Sequence, residues 1–559
     1  MTVERPLTFS TAKIMENGYD NPVSIEQTAN DTPSPPPPPP PPAAHPYSHS
    51  VHFENTRVPA AAPAAAANGS NSQSSGGVYV IPVDTHTTRS NCKNGAGAAK
   101  NEKHQLAGLN GINGDRQHKL NKSSLSEKAY IDYDPHQHIQ HKNPTSYLDT
   151  IFHLLRASLG TGILAMPNAF QNAGYAVGLV GTMIIGFMCT YNIHTLVSSE
   201  YELCKRRKIP SMTYPETVQA AFEEGPARLR CLARFASVVT NLLLALYQIG
   251  SSSIYALFIA SNLQDVGQSY FGSELNLRVV LLYLLVPSVI ICWVRNLKLL
   301  VPFSTIGNVA TIVSFALIFR YVFDEVPTFA YREPVGTMRG IPLFFGTVLF
   351  AMEAIGVVMP LKNQMKKPRQ FGSLFGVLNA SMLPISILYT FMGFFGYLKY
   401  GPATQGSITL NLPTEERLAK AVKLLYSGAI FITYALSNYV ICDIVWTNGI
   451  KSKMNNPSVC CRILFEYVIR TGVVFLTFFL AAAVPNLEIF ISFVGAFCLS
   501  SIGVAFPAIV EILTFWNNHE DAFQFSIMIF RNIIIIVIAI LAFTIGVSSS
   551  VAKFVQEVL

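Results

Sequence analysis

Two apolar segments of this chain are interrupted in the same way, and these paired interruptions constrain the fold more than any other feature. The segment His153–Pro167 contains Gly160-Thr-Gly162, and the segment Phe345–Pro360 contains Gly356. Each is long enough to cross a bilayer, yet each carries glycines, a later proline and an ionisable side chain. Interrupted spans in matching positions of two halves are typical of inverted-repeat transporters, where they form the substrate site.

The composition places the chain in a membrane. Half of the 559 residues are apolar, only 13% are charged, and the mean hydropathy is +0.34. A soluble domain would carry about 25% charged residues. The formal charge of +7 comes from short basic clusters between apolar segments, so it does not indicate nucleic-acid binding. We therefore predict a polytopic membrane protein.

The pattern predicts an all-α transmembrane domain over residues 146–559. We expect about eleven transmembrane helices in a five-plus-five inverted repeat, with helices 1 and 6 broken, because most apolar runs have about the 17–25 residues needed to cross the hydrocarbon core. The predicted spans are 148–172, 175–198, 235–262, 278–294, 301–322, 341–361, 372–398, 417–446, 463–484, 488–514 and 523–547.

Residues 1–145 have a different composition. This segment holds the proline run Pro35–Pro42, alanine-rich and glycine/serine-rich stretches and few large aliphatic residues. It cannot bury enough apolar surface to offset the entropy of ordering, so we predict a disordered cytoplasmic tail. The proline run could bind proline-recognising domains or serve as a spacer, and the sequence leaves both open.

Loop charges predict the orientation. Dense basic clusters at 205–208, 362–369 and 451–462 follow spans two, six and eight. All lie on the side of the N-terminus, which the positive-inside rule assigns to the cytoplasm. The membrane itself is left open between the plasma membrane and a lysosomal or endosomal membrane.

The interruptions predict a chemistry. The half-helix that follows Gly160-Thr-Gly162 begins with unpaired amide N–H groups and the positive end of a helix dipole, which favour a carboxylate. The half-helix that ends between Ala351 and Gly356 presents carbonyl groups, which favour a cation. Both together fit a zwitterion such as an α-amino acid. The competing interpretation is that these glycines only permit close helix packing.

Two ionisable residues are candidates for proton coupling. Glu353 carries a carboxylate at mid-bilayer depth, which is costly and so indicates function; a protonated packing residue is the alternative. His153 has a side chain that titrates between pH 5 and 8, although it could simply cap a nearby carbonyl. The candidate substrate-binding residues are Ser158, Gly160, Thr161, Gly162, Ala351, Glu353, Gly356, Ser437 and Asn438.

These motifs resemble a known family. The segments His153–Pro167 and Phe345–Leu361, with Gly396–Gly401 and Ile408–Pro413, resemble proton-coupled amino acid transporters of the amino acid/auxin permease family in the same order. The likeness covers about residues 147–550. It implies transport of small neutral amino acids with protons, and a coupling role for His153.

The sequence departs from that family's pattern at three places. Lys362 stands where the family commonly has glutamate, Ser437-Asn438 replaces a Gln-Phe pair, and Ala157-Ser158 replaces Gly-Asn. His194 also matches a family histidine. The departures bear on substrate size and on coupling.

The sequence thus predicts a secondary active transporter that moves small neutral amino acids with protons toward the cytosol. It predicts no enzyme, no metal and no cofactor other than the coupling proton. An amino-acid-sensing membrane receptor and an uncoupled amino acid facilitator are the alternatives.

Overall fold

The computed structural model describes residues 133–139, 144–272, 274–295, 297–324, 331–352, 354–445, 459–517 and 522–558. These residues are helical throughout, apart from turns, short 3₁₀ segments and one bridge that pairs Thr145 with Met365. The all-α prediction is therefore confirmed for the part of the chain that the structure describes.

The first half of the transmembrane domain contains nine α-helices. They are α1 (Tyr147–Ser158), α2 (Gly162–Ala173), α3 (Tyr175–Arg207), α4 (Tyr214–Glu224), α5 (Ala233–Phe271), α6 (Leu277–Cys292), α7 (Leu297–Phe323), α8 (Ile341–Ala351) and α9 (Ile355–Gln364).

Six further helices complete the domain, with a π-helix between α13 and α14. They are α10 (Val377–Tyr400), α11 (Arg417–Val445), α12 (Val459–Ala483), α13 (Leu487–Val494), α14 (Phe506–Thr514) and α15 (Ala522–Val558), and the π-helix is Gly495–Ala505.

The described helices agree with the predicted spans. Nine of them, counting α8 with α9 and α13 with α14 as single spans, are long and apolar enough to cross a membrane. The two 12-residue halves α1 and α2 and the 16-residue α6 are shorter. They fall on predicted spans one and four. The count of eleven and the inverted repeat remain predictions.

Helices 1 and 6 are broken, as predicted. Break 1 comprises Leu159, Gly160 and Thr161 between α1 and α2. Break 2 lies between Ala351 and Ile355, that is, between α8 and α9. The half-helix that follows each break contains the proline noted in the sequence, Pro167 in α2 and Pro360 in α9.

Close packing around α8 places break 2 in the core. Gly346 on α8 and Gly495 on the π-helix are in backbone contact, so neither position has room for a Cβ. The helix also packs against α2, α13 and α15. Glycine is the residue that permits such an approach. Gly346 therefore has a packing role.

One helix lies outside the predicted spans. The amphipathic α4 begins at a capping box in which Thr213 and Glu216 exchange side-chain and backbone hydrogen bonds, with Pro215 in the first turn. This Thr-x-x-Glu pattern, with a proline inside it, is readable from the sequence and would have identified the helix.

The folded region begins earlier than the predicted boundary at residue 145. In segment 133–139, Asp134 accepts a hydrogen bond from Arg369 at 2.7 Å, and the His136 ring lies 4.7 Å from that of Tyr201. Burial and the nearby Lys362 ammonium lower the pKa of His136 to about 4, so the docked imidazole is neutral. Local composition did not reveal these long-range contacts. Residues 1–132 of the predicted tail lie outside the described residues.

We call the end of the bundle at which α1 begins the inner end, and the opposite end the outer end.

Candidate functional site

Break 1 exposes backbone groups that a continuous helix would satisfy. Leu159 ends α1 by donating to the Leu155 carbonyl at 2.9 Å, and the Gly160 amide donates to the Ser158 carbonyl at 2.8 Å. No described hydrogen bond uses the amide N–H groups of Thr161, Gly162 or Ile163. The N-terminus of α2 therefore presents free donors, as the sequence predicted.

The two breaks meet. A Cβ on Gly162 would lie 2.6 Å from the Cα of Ala351, so the first residue of α2 and the last residue of α8 are in backbone contact. The amide end of one half-helix is thereby next to the carbonyl end of another. This juxtaposition is the geometry that the paired interruptions predicted.

The carbonyls at break 1 accept hydrogen bonds from side chains on other helices. The Tyr389 hydroxyl on α10 donates to the Ser158 carbonyl, and the Tyr426 hydroxyl on α11 donates to the Gly160 carbonyl at 2.9 Å. A carbonyl oxygen has two lone pairs, so each can accept a second donor. Two tyrosines on neighbouring helices therefore fix the shape of the break.

A third tyrosine borders the break. A Cβ on Gly160 would lie 3.6 Å from the Tyr255 hydroxyl on α5, which is its nearest neighbour outside the adjoining chain. Sequence reasoning did not single out these three tyrosines. The available signal was their position within apolar spans, because a buried tyrosine hydroxyl needs a partner.

Two buried hydroxyl groups at break 1 have no hydrogen-bond partner among the described residues. Ser158 and Thr161 lie at break 1 itself and are 4% and 2% exposed. Among the other buried hydroxyls without a described partner, Thr347 lies on α8, four residues before Ala351. Buried polar groups are normally hydrogen-bonded, so hydroxyls left free beside a helix break indicate a place for a polar ligand or water.

Break 2 borders open space. A Cβ on Gly356 would meet no atom within 4 Å, and this residue is exposed although it follows the buried Ala354 and Ile355. Glu353, a predicted substrate-binding and proton-coupling residue, lies outside the described residues.

Two predicted residues lie away from the breaks. Ser437 accepts a hydrogen bond from Gln248 on α5 at 2.8 Å, and Asn438 donates to the Tyr434 carbonyl at 3.0 Å. They follow Tyr426 by eleven and twelve residues on α11, which is about 17 Å toward the inner end at 1.5 Å per residue. The side-chain amide oxygen of Asn438, Oδ1, is buried and has no partner among the described residues.

The histidines differ in setting. His153 lies on α1 and is exposed, seven residues before Gly160 and thus on the inner side of break 1. His194 forms a 2.8 Å hydrogen bond with the Asn379 side chain, between α3 and α10. The His153 ring is therefore exposed, whereas the His194 ring is held by an amide.

The broken helices and their free backbone groups define a membrane transport protein with a central polar site. The sequence model for the transmembrane amino acid transporter protein family matches residues 143–552. The chain belongs to this family. It is a transporter of amino acids rather than an enzyme.

Two relatives match most of the chain. The proton-coupled amino acid transporter-like protein pathetic of Drosophila melanogaster is 38% identical over 425 residues, which cover 76% of this chain and 88% of that protein. The probable amino acid transporter skat-1 of Caenorhabditis elegans is 23% identical over 416 residues, which cover 72% of this chain and 89% of that protein.

Among solved structures, the inward-facing conformation of Mhp1 aligns with a TM-score of 0.42 and 11% identity, over 75% of this chain and 95% of that one. The family assignment does not rest on this likeness.

Proposed function

We propose that this amino acid transporter is a proton symporter that carries small neutral amino acids toward the cytosol. The observation that supports it is the contact between Gly162 and Ala351, which brings the amide end of α2 beside the carbonyl end of α8. The free α2 amides would bind the substrate carboxylate, and the carbonyl end at break 2 would bind its ammonium.

The site favours a short substrate side chain. Ser158, Thr161 and the backbone of Gly160 would contact the zwitterion at break 1, while Gly356 opens the space at break 2. The backbone contact at Gly162 leaves little width between the half-helices. Ser437 and Asn438 would then line the inner part of the path.

Proton coupling is assigned to His153, with Glu353 as the second candidate. The exposed imidazole on α1 would exchange protons with water at the inner end, and the basic loop clusters assign that end to the cytosol. The name of the Drosophila relative includes proton coupling, which supports proton coupling in this chain. The same proposal applies to the plasma membrane and to a lysosomal or endosomal membrane, wherever the outer side is more acidic than the cytosol.

The experiment is uptake by purified protein in proteoliposomes. A panel of labelled amino acids is offered at outer pH 5.5 and 7.5, which differ about a hundredfold in proton concentration, and the vesicles contain a pH-sensitive dye. We expect accumulation of glycine, alanine or proline at acidic outer pH, with acidification of the lumen. His153→Ala should abolish this acid-driven accumulation, whereas His194→Ala should retain most of it.

Other outcomes identify the alternatives. Binding of amino acid without any movement would indicate a receptor. Movement to equilibrium without accumulation or acidification would indicate a facilitator. Undiminished acid-driven accumulation by His153→Ala would exclude His153 as the coupling residue while leaving the symporter proposal intact.

A further inference from the structure

A carboxylate at the outer end of the bundle joins three separate elements. Glu488 lies in the first turn of α13, and its side chain is 12% exposed. It forms an ion pair with Lys553 on α15 at 2.5 Å. It also accepts hydrogen bonds from the side-chain amides of Asn168 at 3.2 Å and Asn172 at 2.9 Å, both on α2.

The α2 contacts connect this carboxylate to break 1. Asn168 and Asn172 are four residues apart and so lie on one face of the half-helix, and the Asn172 amide also donates to the Asn168 side-chain oxygen at 3.3 Å. The half-helix begins at Gly162, where the free amides are. Glu488 therefore binds the C-terminal part of α2, and the N-terminus of the same half-helix forms the proposed carboxylate site.

One loop that packs against α2 carries charged residues: Gly336 and Gly340 contact the Asn172 backbone, and the same loop contains Arg332, Glu333 and Arg339. The segments α2, α8, α13, the π-helix and the outer loop 401–413 contain no charged residue except Glu488 itself. On α15, Lys553 faces it directly, and Glu557 binds Asn486, the residue that caps α13, at 2.7 Å. On α5, the nearest carboxylate toward the outer end is Asp265, which is paired with Lys423.

We propose that Glu488 is a positioning residue that takes up the external proton and thereby releases the outer half of the first broken span. As a carboxylate it binds Lys553 and both asparagines and holds α2 against α13 and α15. When an external proton binds one carboxylate oxygen, the side chain becomes a neutral acid, the ion pair with Lys553 ends and the Lys553 ammonium is solvated by outer water. The hold on α2 weakens, and α2 can move to expose break 1 to the outer side.

This inference rests on the proposed proton symport and deepens it. It adds an outer proton-binding group, Glu488 on α13, to the inner one at His153 on α1, and the two groups lie toward opposite ends of the first broken span. The outer event controls access to break 1 and does not require contact between Glu488 and the substrate.

The test compares Glu488→Gln with the wild-type full-length protein in proteoliposomes. Two rates are measured: uptake driven by acidic outer pH, and exchange of internal for external amino acid at equal pH on both sides. Glutamine has nearly the shape of the protonated acid and cannot form the ion pair. We expect Glu488→Gln to retain exchange, while its uptake at outer pH 5.5 and 7.5 differs by less than about twofold, because the titrating group is gone.

A second variant keeps the test decisive should Glu488→Gln fail to fold. Lys553→Gln removes the cation that pairs with the Glu488 carboxylate, so a lower proton concentration should suffice to release α2. Half-maximal acid stimulation should then move to higher pH by about one unit.

Glu416→Gln is the matched control. Glu416 is an exposed carboxylate that accepts a hydrogen bond from Tyr321 at 2.6 Å and does not touch α2 through any described contact. Its acid dependence should equal that of the wild type.

The outcomes separate the two proposals. Wild-type protein without acid stimulation would refute the symport proposal and this inference with it. Acid stimulation in the wild type that persists unchanged in Glu488→Gln, or an unchanged pH midpoint in Lys553→Gln, would overturn the inference alone. Equal loss of exchange and uptake in a folded Glu488→Gln protein would show a purely structural role and would overturn it too.

Discussion

At the scale of single residues, break 1 is shaped by tyrosines on other helices. The Tyr426 and Tyr389 hydroxyls satisfy the carbonyls of Gly160 and Ser158, so α1 ends at a fixed place. A hydrogen bond of this kind contributes about 1 kcal/mol, and a buried carbonyl that loses it costs about 1–3 kcal/mol. The conformation of the break therefore depends on side chains that are distant in sequence.

Tyr426→Phe tests this dependence. The change removes one donor and leaves the Gly160 carbonyl without it, so kcat/KM for amino acid uptake should fall about fivefold, the equivalent of about 1 kcal/mol. Uptake is measured in proteoliposomes with each variant at equal protein density.

Tyr434→Phe is the matched control. Its hydroxyl is also buried and bonds Thr477 at 2.8 Å, two turns farther along α11 and away from the break. Similar losses of transport in both variants would show that the effect on Tyr426→Phe reflects general helix packing.

At the scale of elements, the half-helices depend on a close backbone approach. Gly162 has no room for a side chain, because its Cβ would lie 2.6 Å from the Ala351 Cα. Overpacking at such a contact costs about 1–3 kcal/mol. The approach determines the distance between the amides of α2 and the carbonyl end of α8.

Gly162→Ala should therefore lower acid-driven uptake by at least about tenfold, because it separates the two breaks. Gly472→Ala on α12 is the control: it also lies inside a helix, but its Cβ would meet no atom within 4 Å. Alanine is favoured over glycine in a helix by about 1 kcal/mol, so this variant should be slightly more stable and fully active. Wild-type uptake by Gly162→Ala would contradict the proposed geometry.

The sequence predicted both breaks closely, because Gly-Thr-Gly and the later prolines are local signals for an interrupted membrane helix. It predicted the positions of the long helices for the same reason. It did not predict the π-helix Gly495–Ala505, whose carbonyls at Ile502 and Gly503 accept hydrogen bonds from Tyr214 and Asn192 on other helices. These hydrogen-bond partners are determined by tertiary packing, so a local sequence pattern does not predict them.

At the scale of the whole molecule, two kinds of ion pair fasten the inner end. Lys362 and Glu200 form a pair that is almost completely buried, and Glu200 also accepts from the Met212 amide at 3.2 Å. Asp134 and Arg369 form a pair in which Arg369 is 69% exposed. The lysine that reverses the family's usual charge after span six thus has a specific carboxylate partner.

The two pairs should differ greatly in their effect on stability. Glu200→Gln leaves the Lys362 ammonium buried without its partner, which costs about 3–5 kcal/mol. Asp134→Asn removes an exposed pair that contributes at most about 1 kcal/mol. In thermal unfolding of the purified protein, Glu200→Gln should lower the melting temperature clearly and Asp134→Asn only slightly. Equal shifts would contradict the burial of Lys362.

The central claim is that two interrupted helices hold the amino acid between the amides of α2 and the carbonyl end of α8. An electron cryo-microscopy structure of the full-length protein with bound alanine tests it most directly. We predict that α1 ends at Ser158, that α8 ends at Ala351, and that the alanine carboxylate lies within hydrogen-bonding distance of the Gly162 and Ile163 amides. Two continuous helices at these positions, or alanine bound elsewhere in the bundle, would contradict it.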